Sequence, residues 1–387
     1  MHKQLISFLF CTLIIILPHN LKGQEKDYNP ILTAMPSLQI APDARGGGMG
    51  DIGAATMPDV YSQHWNAAKY PFITSEAGLA FSYTPWLSRL VNDINLLYAS
   101  GFWKFGDQDL NVVSTSLRYF SLGDIDVFDI GGDFAQSVNP YELAFDVAYS
   151  RMLSENFSGA VTMRYIRADY STGDGETTPG NAFAADIAGY NESYFYMGRS
   201  EALLGLGFNL SNIGTKISYD GGETSMFLPT NLRLGASLGF PIDAKNSITL
   251  SLDLNKLMVP TPQLPAEDET DEMFKRIEDY NNISSIGGIF KSLGDAPGGF
   301  QEELQEVMWS LGAEYVYNNQ FSLRAGYFNE NEYKGNRRYV AFGAGFRMKA
   351  FQIDASYLTS TSQSNPLDQT LRISLGFDIE GLRNLMN

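Results

Sequence analysis

Cysteine and histidine are nearly absent from this sequence. Among its 387 residues there is one cysteine, Cys11, and there are three histidines, at positions 2, 19 and 64. Without residues 1–23, which have the features of a leader described next, the chain would contain no cysteine and its only histidine would be His64. We therefore expect no disulfide, no cysteine-ligated zinc and no cysteine nucleophile, and we predict neither a metal site nor a cofactor.

The N-terminal residues have the pattern of a secretory signal peptide. Lys3 provides the positive charge that precedes an apolar core at residues 5–17, as in such peptides. Cleavage before Gln24 would remove residues 1–23. Nothing around Cys11 resembles a lipoprotein signal, so we do not expect a lipid anchor.

Basic residues and long apolar runs are also scarce. Lys and Arg number 27 against 44 Asp and Glu, which gives a formal net charge of -17. This balance argues against nucleic acid as a partner, because phosphate backbones require basic patches. Beyond the N-terminus, no apolar run is long enough for a helix to cross a bilayer. The aromatic content of 13%, distributed over short alternating segments, instead favours a β-barrel in an outer membrane.

From about Glu76 onwards, apolar and polar residues alternate with the period of two that is typical of strands. In residues 370–379, leucine, isoleucine and phenylalanine occupy every second position, and polar residues or glycine lie between them. The pattern predicts an all-β fold, a 14-stranded antiparallel transmembrane β-barrel, because an even strand number suits a closed single chain. The predicted strands are 77–83, 93–105, 109–120, 141–149, 157–165, 182–188, 202–210, 231–240, 247–255, 307–317, 321–327, 339–348, 351–357 and 370–379.

The two faces of these strands bear on the choice between a membrane barrel and a soluble sandwich. The polar face contains charges of both signs, among them Asp253, Glu314 and Arg324, and suits either a barrel lumen or a solvated surface. The apolar face contains many rings, often at strand ends, which is typical of the aromatic girdles of membrane barrels.

Connection lengths alternate between short and long, as in outer-membrane barrels with short periplasmic turns and longer external loops. The longest connection, residues 258–305, is expected on the cell exterior, with short helices at 272–280 and 299–306. The exception is 190–200, a longer connection on the predicted periplasmic side.

Residues 24–75 are predicted to form an N-terminal plug in the lumen, ahead of a barrel at 76–380 and a tail at 381–387. Its central stretch, 41–72, is rich in small residues, and we expect its three consecutive glycines to form neither helix nor strand. The alternative is a solvated glycine-rich linker, which would leave several aromatic rings exposed. The predicted plug residues are Gly46, Gly47, Gly48, Trp65 and Asn66.

Apolar side chains in two external connections are the predicted partner-binding residues, because apolar groups in an aqueous loop are costly to expose unless a partner covers them. The alternative is that they fold over the barrel mouth as a lid. They lie at 85–90 and within 258–305: Trp86, Leu87, Phe274, Ile286, Ile289, Phe290 and Leu293.

Residues that would support catalysis are few. His64 lies near Ser62 and Asp59 in the chain, but these neighbours are too local to define a catalytic triad, so a structural hydrogen bond is the expected role of His64. The glycine-rich run lacks the lysine of a phosphate-binding loop and does not follow a strand. We predict no catalytic residue and no enzymatic activity.

Several stretches together resemble the PorV family, the outer-membrane barrel of the type IX secretion system of Bacteroidetes, which is similar to the larger FadL group of plugged fourteen-stranded barrels. They include PDARGGGMGDIGAAT, DVYSQHWNAAKY, PTNLRLGASLGFPID, LDLNKLMVPTP and NPLDQTLRISLGFD. One departure is visible: the asparagine-proline-alanine element of FadL-like barrels here reads Asn66-Ala67-Ala68.

The resemblance implies a binding role at the cell outer membrane. Its partners would be the outer-membrane lipid, the translocon barrel, cargo proteins with a C-terminal signal domain, and a sortase-like surface protease of the attachment complex. The protein would receive cargo at the translocon and carry it to that complex. Two alternatives remain open: a FadL-like channel for hydrophobic small molecules, and a surface enzyme such as an esterase or deacylase that uses His64.

Overall fold

The computed structural model describes residues 28–87, 91, 93–106, 110–128, 131–171, 177–198, 200–222, 224–262, 270–362, 367–379 and 381. The expected signal peptide lies outside these residues, as does the expected tail apart from residue 381. The side chain of Phe274 also lies outside the description. None of the described helices is long and apolar enough to span a bilayer.

Fourteen strands of the described chain form one closed antiparallel barrel, which confirms the predicted fold. Each barrel strand pairs with the next one along the chain, and the first closes the ring against the last. The barrel strands are β1 (Ala77–Pro85), β2 (Ile94–Phe105), β3 (Asn111–Leu122), β6 (Tyr141–Ser154), β7 (Phe157–Asp169), β8 (Gly180–Met197), β9 (Ser200–Gly214), β10 (Asn231–Pro241), β11 (Asn246–Leu257), β12 (Val307–Tyr317), β13 (Phe321–Asn329), β14 (Arg338–Arg347), β15 (Phe351–Ser360) and β16 (Leu371–Asp378).

The side chains of the wall alternate between an exposed apolar outer face and a buried polar inner face. On β11, Leu250 and Leu252 are exposed, whereas Ser251 and Asp253 are buried. In a barrel that spans a membrane, the outer set faces lipid and the inner set faces the lumen. The core of this protein is therefore its lumen, and it is largely polar.

The two ends of the barrel differ in the length of their connections. At the turn end, connections run over residues 106–110, 155–156, 198–199, 242–245, 318–320 and 348–350. At the opposite end, which we call the loop end, they run over residues 86–93, 123–140, 170–179, 215–230, 258–306, 330–337 and 361–370. In outer-membrane barrels the longer connections are external.

The expectation of a longer turn-end connection at 190–200 is wrong. β8 continues to Met197 and pairs with β9 from Ser200 onwards, so only two residues connect them. β7 pairs with β8 no further than Asn191, and the hairpin projects beyond that neighbour. A strand that leaves the wall has no need for one polar and one apolar face, so the period-two signal disappears there.

The long connections contain secondary structure of their own. A separate hairpin, β4 (Ile125–Phe128) with β5 (Phe134–Val138), was not predicted. The connection between β11 and β12 contains three helices, two of which lie at the predicted places. They are α3 (Thr270–Asn281), α4 (Ser285–Lys291) and α5 (Phe300–Gln305), which follow α1 (Ala44–Gly48) and α2 (Ser62–Trp65) of the N-terminal region.

Candidate functional site in the lumen and at the loop end

The lumenal segment, residues 29–73, runs through the barrel interior from the loop end to the turn end. At the loop end, the N–H of Ala34 donates to the carbonyl of Phe227 at 2.9 Å. At the turn end, the ammonium of Lys104 donates to the carbonyl of Pro71 at 3.0 Å. Most of the segment between these points is buried.

The three consecutive glycines lie in α1 (Ala44–Gly48), so the expectation that they would avoid a helix is wrong. Asp43 caps this turn, because its carboxylate accepts the N–H of Gly46 at 2.8 Å and the indole N–H of Trp65 at 2.6 Å. A Cβ at Gly46 would lie 2.4 Å from the Trp65 ring. The cap and the close ring contact together hold a turn that glycine by itself disfavours.

Asn66 connects the lumenal segment to the wall. Its side-chain amide donates to the carbonyls of Ala54 at 2.9 Å and Gly189 at 3.0 Å, and its oxygen accepts the N–H of Ala68 at 3.0 Å. These bonds fix the turn that follows α2. The proline missing from the asparagine-proline-alanine element is therefore not needed to hold the chain here.

A buried ionic network joins α1 to the wall. The guanidinium of Arg45 contacts Asp59 at 2.5 Å and Glu314 at 2.8 Å. Glu314 in turn contacts Arg324 at 2.7 Å, and Arg324 contacts Asp354 at 2.7 Å. All five side chains are almost fully buried, so each charge depends on its neighbours for compensation.

At a second junction, the wall binds the backbone of the lumenal segment through hydrogen bonds and not through an ion pair. The carboxylate of Asp253 on β11 accepts the N–H groups of Gly53 at 2.9 Å and Ala54 at 3.0 Å. Gly207 on β9 faces the same stretch, and a Cβ there would lie 2.1 Å from the carbonyl oxygen of Ala54. The wall thus uses a glycine to let the lumenal backbone approach closely.

Trp86 and Leu87 lie at the loop end of β1. Trp86 is half-buried and packs against a cluster of Ile40, Leu96 and Phe120, in which Ile40 belongs to the lumenal segment. This packing is what the lid alternative anticipates. Both residues line a cleft of about 780 Å³ at the loop end.

Three of the predicted partner-binding residues form an exposed row on α4 and just after it. Ile286, Phe290 and Leu293 are exposed by 65%, 72% and 59%. Their spacing of four and then three residues places them on one face of a helix. Ile289 is partly buried. We call Ile286, Phe290 and Leu293 the apolar stripe.

The opposite face of α4 is anchored. A Cβ at the buried Gly288 would meet Phe227 and Pro260 at 3.0 and 3.1 Å. Tyr280, at the end of α3, contacts the Phe227 ring edge-on and donates to the carbonyl of Pro260 at 3.2 Å. Burial raises the pKa of Tyr280 to about 12, so its hydroxyl remains a donor. The apolar stripe is therefore presented by a fixed helix.

Two lysines form ion pairs with acidic residues in α5 and with Glu306 just after it. One lysine lies on β11 and the other in the connection between β13 and β14. Lys256 contacts Glu303 at 2.9 Å and Glu306 at 2.5 Å, and Lys334 contacts Glu306 at 3.1 Å. Lys334 also bonds Glu302. Burial is the largest influence on the pKa of Glu302 and raises it, but hydrogen bonds from Lys334, Gly298 and Asn29 and the charge of Lys334 together outweigh burial, so the pKa lies below its ordinary value.

Two exposed apolar residues of α5 were not among the predicted partner-binding residues. Phe300 and Leu304 are exposed by 78% and 57%. They are four residues apart, which places them on one helix face. This spacing was the signal that could have identified them, since a helix over 299–306 was expected.

The family comparison decides which class of barrel this is. The family model described as "Type IX secretion system protein PorV" matches residues 23–264, well over half of the chain. The chain belongs to this family. The match covers the lumenal segment and β1 to β11 and ends within the connection that contains α3 to α5. As a closed barrel with an apolar outer face, this PorV family member is an integral protein of the outer membrane.

Solved structures similar to this chain are outer-membrane barrels. The Pseudomonas putida toluene transporter TodX has 12% identity and a TM-score of 0.47, with 91% of this chain and 99% of that chain covered. A Pseudomonas aeruginosa FadL homologue has 12% identity and a TM-score of 0.44 over 91% and 100%. The Ralstonia pickettii toluene transporter TbuX has 11% identity and a TM-score of 0.43 over 86% and 96%. No curated protein matches the chain.

His64 of this PorV family member lies in the lumen, and its nearest polar partner is a cation. Arg118 approaches His64 Nδ1 at 3.1 Å. The nearby Ser62 hydroxyl instead donates to Asp59 at 3.0 Å. Burial, and then the charge of Arg118, lower the pKa of His64 well below its usual value. This arrangement lacks the serine–histidine–acid order of a hydrolase triad.

Proposed function

We propose that this PorV family member binds the C-terminal signal domain of secreted cargo at the type IX translocon and carries it to a surface attachment complex that contains a sortase-like protease. Family membership supports the secretion role. The single observation that carries the binding role is the apolar stripe, which the loop end presents to water on an anchored helix.

The apolar stripe has the character of a recognition surface. Exposed apolar groups that are contiguous and rimmed by polar residues mark interaction sites more often than solvated surface. The connection that contains the stripe also contains α5, which exposes two further apolar side chains, Phe300 and Leu304. An aromatic anchor held on a rigid element loses little conformational entropy when a partner covers it.

Crosslinking in intact outer membranes, followed by mass spectrometry, tests the proposal directly. We expect α4 and α5 to crosslink to a cargo signal domain, and the β-wall to crosslink to the translocon barrel. Crosslinks of cargo confined to the turn end or to the wall would contradict the proposed surface.

We also propose that the lumenal segment is a plug that closes the barrel. It contacts wall strands around the ring through the ionic network, Asp253 and Asn66. Deletion of residues 41–70 is expected to leave a membrane-inserted barrel, because the strands pair with each other, but one that conducts ions and unfolds at a lower temperature. The measurement is single-channel conductance in planar bilayers, with thermal melting in detergent. Equal conductance and stability would mean that the segment is not a seal.

A second candidate function, a channel for hydrophobic small molecules, is favoured by the loop-end cleft. Ile40, Trp86 and Phe120 contribute apolar surface to it. Below the cleft the lumen is occupied by the hydrogen-bonded lumenal segment, which obstructs a direct route. Solute accumulation in liposomes that contain the intact protein separates the candidates, since only a channel would produce it.

A further inference from the structure

A cavity of about 60 Å³ lies in the lumen between the lumenal segment and the wall. His64 and Trp65 line it from the segment, and four arginines line it from the wall and the loop end. A single buried water needs about 10–15 Å³ of such space, so the cavity has room for a group of several oxygen atoms. The four arginines are Arg118, Arg164, Arg233 and Arg337.

Two of these arginines are compensated by carboxylates. Arg164 contacts Asp146 at 3.0 Å and Asp186 at 2.9 Å. Arg337 contacts Glu330 at 2.8 Å. Their charges are therefore neutralised without an anion in the cavity.

The other two have no carboxylate of the described chain within salt-bridge distance. Arg233 donates to the amide oxygen of Asn255 at 2.7 Å, and its guanidinium lies 4.6 Å from the centre of the Trp65 ring. Its Nη1 is buried and has no hydrogen-bond partner among the described residues. Arg118 bonds two backbone carbonyls and His64. Buried cations without a paired anion are costly.

A second unpartnered donor belongs to His64, which also lines the cavity. Because a guanidinium can only donate, Arg118 makes His64 Nδ1 the acceptor, which leaves the proton of the neutral ring on Nε2. That Nε2 is buried and has no partner among the described residues. The cavity thus brings together Arg118 and Arg233, two cations without a salt-bridge partner among the described residues, and two N–H groups without an acceptor. Two carboxylates also line it: Asp146 is paired with Arg164, and Asp51 accepts a hydrogen bond from the Tyr339 hydroxyl.

We propose that this cavity binds a small inorganic oxyanion of the phosphate class, held between Arg233, His64 and Arg118. Such an ion provides acceptor oxygens in several directions, which suits guanidinium donors. Water is the alternative occupant, since it can satisfy these donors and the unpartnered amide oxygens of Asn209 and Asn231, but it provides no negative charge. The ion would link the lumenal segment, through His64, to β3 and β10.

The loop end provides the route of entry. Gln39, Asp51 and Arg337 line both this cavity and the loop-end cleft. An anion from outside would therefore reach the site without passing the ionic network of α1, and occupancy would depend on its external concentration.

The test uses the full protein in detergent, free of phosphate, with labelled inorganic phosphate in equilibrium dialysis and matched ionic strength. We expect about one phosphate per chain, and a thermal unfolding temperature that rises by about 2 °C for each tenfold increase of phosphate above its dissociation constant. Arg233→Gln should abolish both. The control Arg347→Gln, which alters a turn-end arginine bonded to Gln352, should change neither.

A second variant guards against misfolding of the first. Asn255→Asp places a carboxylate beside the Arg233 Nε, so it should replace the ion: phosphate binding is lost while stability without phosphate is kept or increased. The proposal is overturned if no phosphate binds, if chloride stabilises equally, or if both Arg233→Gln and Asn255→Asp bind phosphate as the parent does.

Discussion

Replacing Phe290 by Asp is expected to weaken capture of a cargo signal domain about 30-fold, the effect of losing an aromatic contact worth about 2 kcal/mol. Phe290 is 72% exposed, and the face of α4 that anchors the helix lies opposite. The substitution therefore removes a partner contact but no internal packing, and the thermal unfolding temperature in detergent should remain unchanged. The measurement pairs a binding titration of an isolated signal domain with thermal melting.

Two controls make the result specific. Phe128→Asp alters another exposed ring, on β4, which is 58% exposed and in edge contact with Phe134, and should leave capture intact. Trp86→Asp should lower stability, because its ring packs against Ile40 and Phe120. Unchanged capture in Phe290→Asp, and in the same substitution at Ile286 and Leu293, would exclude the apolar stripe and direct attention to the barrel wall.

Replacing Arg45 by Met is expected to destabilise the protein by about 3–5 kcal/mol, the usual cost of removing one partner from a buried ion pair. The substitution leaves the carboxylates of Asp59 and Glu314 without their shared cation. Arg324 can compensate only part of the charge on Glu314, because it also neutralises Asp354. The free energy of unfolding is measured by chemical denaturation in detergent.

The double variant Arg45→Met with Glu314→Gln is the matched control. It removes both charges of one pair, so it should recover part of the loss, and the shortfall from additivity measures their coupling. A loss below about 1 kcal/mol for Arg45→Met alone would mean that water screens the network, as for exposed ion pairs. The lumenal segment would then be held mainly by packing and backbone hydrogen bonds.

The barrel was predictable because the pattern that produces it, alternation of polar and apolar residues, is local in the sequence. A strand that separates lipid from a polar lumen must alternate with a period of two, and β11 and β16 show this alternation without interruption. The prediction was wrong where that rule stops applying. The tip of β8 is apolar on both faces because it projects beyond β7, and the hairpin of β4 and β5 lies outside the wall.

The contacts that fill the lumen were beyond sequence reasoning. Arg45 and Glu314 are separated by 269 positions, and no local pattern marks which lumenal charge meets which wall charge. The helical turn at Gly46 also depends on a distant contact, since the Trp65 ring closes over it and bonds the capping Asp43. Trp86 and Phe290 are similarly apolar and both lie in connections, yet Trp86 packs against other residues and Phe290 is exposed.

By itself, the sequence determined that this chain forms a closed barrel with long connections at one end, because strand period and connection length are properties of consecutive residues. Only the tertiary structure decided which lumenal side chains pair, which glycines are approached by backbone, and which loop residues remain exposed. Those outcomes depend on distances between residues far apart in the chain. Closing the barrel sets these distances. Burial then makes each unpaired charge in the lumen costly in free energy.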